Sequence, residues 1–275
     1  MEFQVLISTM FKVNLNFLEP IFINNNISDY NIIVVNQTDK DSLLKSNLSN
    51  VIVYNSFERG TSASRNLAIE KASAKYALFA DDDTVFDQGF DQIILNEFAK
   101  YSDAYLLSFE CTTGENKVKH TKYPKPGLHN RLTLKPIHMV VMAVNLEILK
   151  KSGVLFNKYF SLGGVFSGGT EYVFLREAYS KDLKSYHINK NIVHHHELSS
   201  GKFMGSDRGI HTRAARINHF HGVLYSYLWL FKYLFFLVKN DYINVMQLNS
   251  KFIVGKKGIT DYNNLIKQGN IKRQL

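Results

Sequence analysis

Residues 3–8, 31–35, 50–54 and 76–80 are short apolar runs rich in valine, isoleucine and leucine, and polar or helix-patterned stretches separate them. Runs of this length that lack polar alternation read as strands covered on both faces. Strands interleaved with helical segments specify an α/β chain, with a mostly parallel central sheet flanked by helices. Residues 64–74 fit the pattern, with Leu67, Ala68 and Ala72 at helical spacing and Ser62 or Ser64 placed to cap the helix. In open sheets of this kind ligands bind beyond the carboxyl ends of the strands. Two polar segments occupy such places: Asn36-Gln37-Thr38-Asp39 after the second run, and Asp81-Asp82-Asp83 after the fourth.

The aspartates are the sharper signal. If the strand continues through them, Asp81 and Asp83 project to one side and Asp82 to the other. Two carboxylates on one side of a strand end suit a hard divalent cation, Mg²⁺ or Mn²⁺, which commonly bridges protein carboxylates to substrate phosphates. A solvated acidic turn is the alternative.

The chain has 275 residues, enough for one large α/β domain with an appendage. Its one cysteine, Cys111, excludes an internal disulfide and a cysteine-rich zinc site. The first residues lack the basic and apolar regions of a signal peptide. A net charge of +9 is compatible with nucleic acid, anionic lipid or phosphorylated small molecules. No zinc-finger spacing or RNA-binding aromatic motif is present, and the cations read as spread evenly until the last quarter, so nucleic acid is not an expected partner.

The segment Glu58-Arg59-Gly60-Thr61-Ser62-Ala63-Ser64-Arg65-Asn66-Leu67-Ala68, followed by Tyr76-Ala77-Leu78-Phe79-Ala80-Asp81-Asp82-Asp83, resembles the family 2 nucleotide-sugar glycosyltransferases of GT-A fold. A glycine, a helix start with small-residue-Arg-Asn and a strand ending in Asp-x-Asp occur in the family's order. The likeness runs from the first strand to about residue 200. It implies an inverting, metal-dependent transfer of a sugar from a nucleotide donor, with Mn²⁺ or Mg²⁺ as cofactor. The donor-binding candidates are Thr9, Asn36, Gln37, Arg65, Asp81 and Asp82. The metal candidates are Asp81 and Asp83, with His194 or His196 completing the shell.

Where relatives carry an acidic residue that reads uracil, this chain has Asn36-Gln37. Amides donate and accept hydrogen bonds, so UDP remains the expected nucleotide, with dTDP, GDP and CDP open. By the same resemblance Glu171, in Ser167-Gly168-Gly169-Thr170-Glu171, is the general base that takes the acceptor hydroxyl's proton. A carboxylate stabilised at a helix N-terminus is its structural alternative. A sugar-phosphate nucleotidyltransferase and a non-catalytic nucleotide-binding scaffold are the rival readings. The first normally carries a glycine-rich phosphate loop near its first strand, where this chain has Ser8-Thr9-Met10-Phe11-Lys12.

Several organisational expectations follow. A catalytic domain covers 1–205, with a nucleotide-sugar half (1–110) and an acceptor half (111–205), and a helical segment covers 206–275. A long surface loop is expected from 111 to 131, a strand over 138–144 and a short helix over 146–151. Residues 222–238 are apolar and aromatic nearly all round, interrupted by Lys232. A spanning helix needs about 20 apolar residues, so an interfacial helix is preferred to a spanning one. A helix buried against protein is the alternative. The lysines beyond 250 favour anionic lipid. The expected setting is the cytoplasmic face of a bacterial inner membrane, with a lipid-linked oligosaccharide as acceptor in capsule, exopolysaccharide or O-antigen assembly.

Overall fold

The computed structural model describes residues 1–195 and 204–274. The chain forms two compact units, Met1–Phe156 with Phe174–Leu198, and Asn157–Val173 with Ser199–Leu275. This border differs from a division at 205, because residues 157–173 group with the C-terminal helices.

The first unit is built on a mixed sheet. Strands β1 (Phe3–Met10), β2 (Ile32–Gln37), β3 (Val51–Ser56) and β4 (Tyr76–Asp81) lie in the order β3-β2-β1-β4, all parallel. Beyond β4 the sheet turns mixed. Strand β9 (Met142–Asn145) runs antiparallel between β4 and β6 (Ala104–Thr113). Strand β10 (Lys184–His195) pairs in parallel with β6, and β5 (Thr84–Phe86) closes this edge antiparallel to β10. Two short strands, β7 (Val118–Lys119) on β6 and β8 (Gly127–Leu128) on β10, complete the sheet among the described residues.

The apolar runs behave as expected of two-sided burial: Val5, Ile7, Val34, Val35, Ala77 and Leu78 have no exposed surface. Each valine, isoleucine or leucine among them contributes about 1.5–3 kcal/mol relative to an exposed one. Helices α1 (Leu18–Ile21), α2 (Thr61–Lys71), α3 (Phe90–Lys100) and α4 (Leu146–Ser152) belong to the same unit. Asn145 caps α4 by accepting from the backbone of Glu147 and Ile148.

Three local expectations need correction. Helix α2 begins at Thr61 and is capped by Gly60, whereas Ser62 and Ser64 lie inside it and are buried. Gly60 has φ 115, a conformation open to glycine and strained for other residues, and it turns the chain into the helix two residues before Ser62. Strand β6 continues through Cys111 to Thr113, because Cys111 pairs in register with Val193 of β10 and is buried, so the 111–131 segment is not simply a loop. Residues Met139–Val141 form a 3₁₀ turn, leaving only Met142–Asn145 as strand.

The second unit holds α6 (Asp207–Lys239) and α7 (Leu248–Lys267), while α5 (Thr170–Tyr179) starts in this unit and ends in the first. Helix α6 is broken at Gly222 (φ 80, ψ 174). Helix α7 packs tightly on it: a β-carbon at Gly258 would lie 2.2 Å from the carbonyl oxygen of His211. Beside this contact, Phe160, Phe166, His219 and Tyr262 form a buried aromatic cluster, with His219 Nδ1 2.7 Å from the Tyr262 hydroxyl.

Candidate active site

The strand ends meet where the sheet topology directs them. Strand β4 stops at Asp81, and Asp82-Asp83 form a turn closed by Thr84, whose hydroxyl donates to the Asp81 carbonyl at 2.8 Å. The strand alternation therefore ends at Asp81, and the three carboxylates fan out to three different elements. Asp81 accepts from Arg65 of α2 at 3.1 Å. Asp82 accepts from the Thr9 hydroxyl of β1 at 2.5 Å and pairs with Lys12 at 3.0 Å. Asp83 faces β10, with its Oδ1 3.2 Å from His195 Nε2.

Arg65 is buried at 5% exposure, with its guanidinium near the Phe156 ring. Burying that charge without a partner would be costly, and Asp81 supplies one. The pair fixes the α2 N-terminal region against the strand end.

The nucleotide-side candidates divide in two. Asn36 has no exposed surface, and its amide is committed. Its Oδ1 accepts from Lys12 N at 3.0 Å, and its Nδ2 donates to the Lys12 carbonyl and to Asn55 Oδ1. That is a fastening role rather than an open base-reading edge. Gln37 is also buried, and its Oε1 accepts from Gly60 N at 2.7 Å, tying the β2 end to the start of α2. Nearby, Asp39 pairs with Arg59, whose guanidinium lies over the Phe11 ring.

Histidine placement is decided by β10. His194 is buried and its Nδ1 lies 3.1 Å from the hydroxyl of Thr112, its register partner on β6. His195 is the one that meets Asp83. The expectation that His194 serves the aspartates is thus replaced by His195, while His196 lies outside the described residues. Among the described residues, no group of three or more His, Cys, Asp and Glu side chains is arranged as a metal cage. The convergent protein donors are one carboxylate, Asp83, and one imidazole, His195. An oxygen and nitrogen donor pair of this kind would suit Mn²⁺.

Two further histidines adjoin. The ring of His120 packs edge to face on His138, with centroids 4.0 Å apart. Burial pushes both down to a pKa of about 4, with a contribution from the neighbouring His195. Glu171 sits in the first turn of α5, partly exposed, and belongs to the second unit, whereas the aspartates belong to the first.

Lys12 is a contact the sequence reading missed. Its pairing with Asp82 spans 70 residues (82 − 12), and no local pattern announces it.

The family described as Glycosyl transferase family 2 matches residues 21–152, a span that contains Arg65 and all three aspartates. The matched span is just under half of the chain. Thr9, Glu171 and His195 lie outside the matched span. Among solved structures, S. aureus TarS residues 1–349 in complex with UDP is similar at a TM-score of 0.56, with 14% identity over 99% of this chain and 93% of that one. The same TarS segment in complex with UDP-GlcNAc gives a TM-score of 0.55 at 13% identity, with the same coverage. A longer TarS structure gives 0.52 at 15% identity, over 79% of this chain and 40% of that one. At such identities the likeness establishes a shared GT-A-like fold. No curated protein sequence matches this chain.

Proposed function

We propose that this chain is an inverting glycosyltransferase that takes a sugar from a nucleotide donor, with UDP as the nucleotide. The reading is carried by one observation: three aspartates at the carboxyl end of β4, each held by a different element, within the segment that matches family 2. The UDP and UDP-GlcNAc complexes of the TarS fold neighbour support the donor class.

In the proposed reaction an acceptor hydroxyl oxygen attacks the anomeric carbon from the face opposite the leaving group. The bond from that carbon to the diphosphate oxygen breaks, and the hydroxyl proton passes to Glu171. Arg65 and Lys12 orient Asp81 and Asp82 and bring positive charge to the side where the diphosphate departs. Asp83 and His195 are the residues that would hold Mn²⁺ or Mg²⁺. When bound, that ion supplies neutralisation of the charge on the leaving diphosphate.

The location we propose is a membrane surface, where a lipid-linked saccharide of a bacterial surface-polysaccharide route is the acceptor. Helix α6 beyond Gly222 supports it. One face, with Leu230, Leu234 and Leu237, is buried in the second unit's own core. Leu224, Leu228, Phe231 and Phe235 are 78%, 62%, 60% and 71% exposed, at spacings of four, three and four residues that align them on one stripe. Apolar area in such a stripe is costly in water and favourable at a lipid interface. The whole helix Asp207–Lys239 is long and apolar enough to cross a membrane, but at 1.5 Å per residue the part beyond the Gly222 break reaches about 26 Å against a ~30 Å hydrocarbon core, which supports an interfacial placement.

The test is UDP-sugar turnover by the full chain with Mn²⁺, Mg²⁺ or chelator. Glu171→Gln is expected to lower turnover by at least about 100-fold, the scale of one lost general base, and Asp83→Asn by a similar factor through loss of the ion's charge stabilisation, worth several kcal/mol. Wild-type rates in either variant would overturn the assignment.

A further inference from the structure

The segment from Lys117 to Lys135 carries Lys117, Lys119, Lys122, Lys125, Arg131 and Lys135 with no aspartate or glutamate among them. The cations are therefore not evenly spread, as a first reading of the composition suggests. Strands β7 and β8 pin this segment to β6 and β10, which gathers its charge on one side of the first unit. Lys119 is neutralised by Glu110 at 2.7 Å. Lys122, Lys125, Arg131 and Lys135 have no carboxylate partner among the described residues.

Lys122 and Lys135 line a shallow surface cavity, wide open to solvent and about 460 Å³ in volume, together with Tyr123, Pro124, Leu132 and Pro136. Its walls are rigidly held. The Tyr123 hydroxyl accepts from Cys111 N at 2.9 Å, and its ring stacks on His187. Thr133, also in the lining, bonds His129 Nδ1 at 3.0 Å, and His129 in turn meets the buried Ser108 hydroxyl at 2.9 Å. Through His120 and His138 the same segment adjoins His195, the residue against Asp83.

We infer that this cavity is an acceptor subsite for a phosphate-bearing saccharide, with the phosphate between Lys122 and Lys135 and the sugar against Tyr123 and the two prolines. Lysine acts as a point charge on phosphate and demands no fixed fork geometry, which suits a phosphate joined through rotatable bonds. An aromatic ring with proline edges offers the apolar surface that a sugar face covers. The inference rests on the glycosyltransferase reading for its place in the reaction, and its chemistry has two sources: the phosphodiester of an anionic glycan, or the diphosphate of a lipid-linked saccharide.

The experiment is titration calorimetry on the full chain with two probes, a soluble glycerol-phosphate oligomer and a short-prenyl diphosphate monosaccharide. Their phosphate-free counterparts serve as controls. Wild-type protein is expected to bind at least one phosphorylated probe, more weakly as salt rises, and which one binds identifies the source. The double variant Lys122→Gln/Lys135→Gln is expected to weaken that binding at least tenfold, and Lys122→Arg/Lys135→Arg to restore most of it. The UDP-induced thermal shift should be unchanged in both variants, since the aspartates pair with Lys12, Arg65 and His195 and not with these two lysines. Failure of both probes to bind, undiminished binding in the glutamine variant, or equal binding of the phosphate-free controls would overturn the subsite. Probe binding without any UDP shift would instead overturn the donor reading and leave the anion site standing.

Discussion

Acid is expected to loosen the sheet unit through its buried histidines, and His129 allows the effect to be sized. Its side chain is 4% exposed and lies between the Ser108 and Thr133 hydroxyls. Burial, with the neighbouring His187, pushes its pKa from 6.5 down to about 3. The folded chain thus keeps His129 neutral where the unfolded chain would protonate it. Stability is fully present above the unfolded value near 6.5 and is lost as pH falls below it, down to the folded value near 3. Between pH 7 and pH 5 this one group removes roughly 2 kcal/mol, since each proton taken up only by the unfolded state changes stability by about 1.4 kcal/mol per pH unit. His138, partly buried and shifted to about 4, pushes the same way. The assay is urea denaturation at pH 5, 6 and 7 for wild type and His129→Gln. The wild-type midpoint should fall with acid, and the variant should lose one proton's share of that slope. A flat wild-type midpoint, or a variant with the full slope, would refute the account.

Gly258→Ala should destabilise the α6–α7 pair by about 1–3 kcal/mol, the usual cost of overpacking, because the new methyl would meet the backbone oxygen of His211 at 2.2 Å; thermal unfolding would read it. His195→Ala should raise the Mn²⁺ concentration needed for half-maximal turnover at least several-fold. His194→Ala should instead act on stability, and equal metal dependence in the two variants would count against the assignment. Leu228→Glu/Phe231→Glu should abolish co-flotation with anionic vesicles while leaving turnover of a soluble acceptor intact, and retained flotation would place the membrane contact elsewhere.

Much of residues 1–110 was legible because its signals are local. An apolar run of five or six residues, buried on both faces, announces a parallel strand without knowledge of its neighbours, and β1 to β4 were found this way to within one or two residues. The start of α2 was read a little late, since serines are familiar caps and nothing short of the backbone shows Gly60 at φ 115. The stretch beyond residue 110 was less legible. Strand β6 runs on through Cys111 to Thr113 only because β10 lies beside it, and β10 itself carries three register irregularities.

Such irregularities explain the histidines. Alternation correctly separates His194 from His195, but which of the two meets an aspartate depends on how β10 sits between β6 and β5. The lysines of 117–135 were visible as letters. Their meaning as a patch required two short strands to fold the segment back and a cavity to bring Lys122 and Lys135 together.

What the amino-acid order determined alone was the parallel-stranded start and the carboxylates at its strand end, because burial and backbone period act over a few residues. Tertiary structure decided the partners of those carboxylates, Arg65, Lys12 and His195, and the second face of α6. Ion pairs and strand register join residues far apart in the chain, and their free energy exists only after the sheet has assembled.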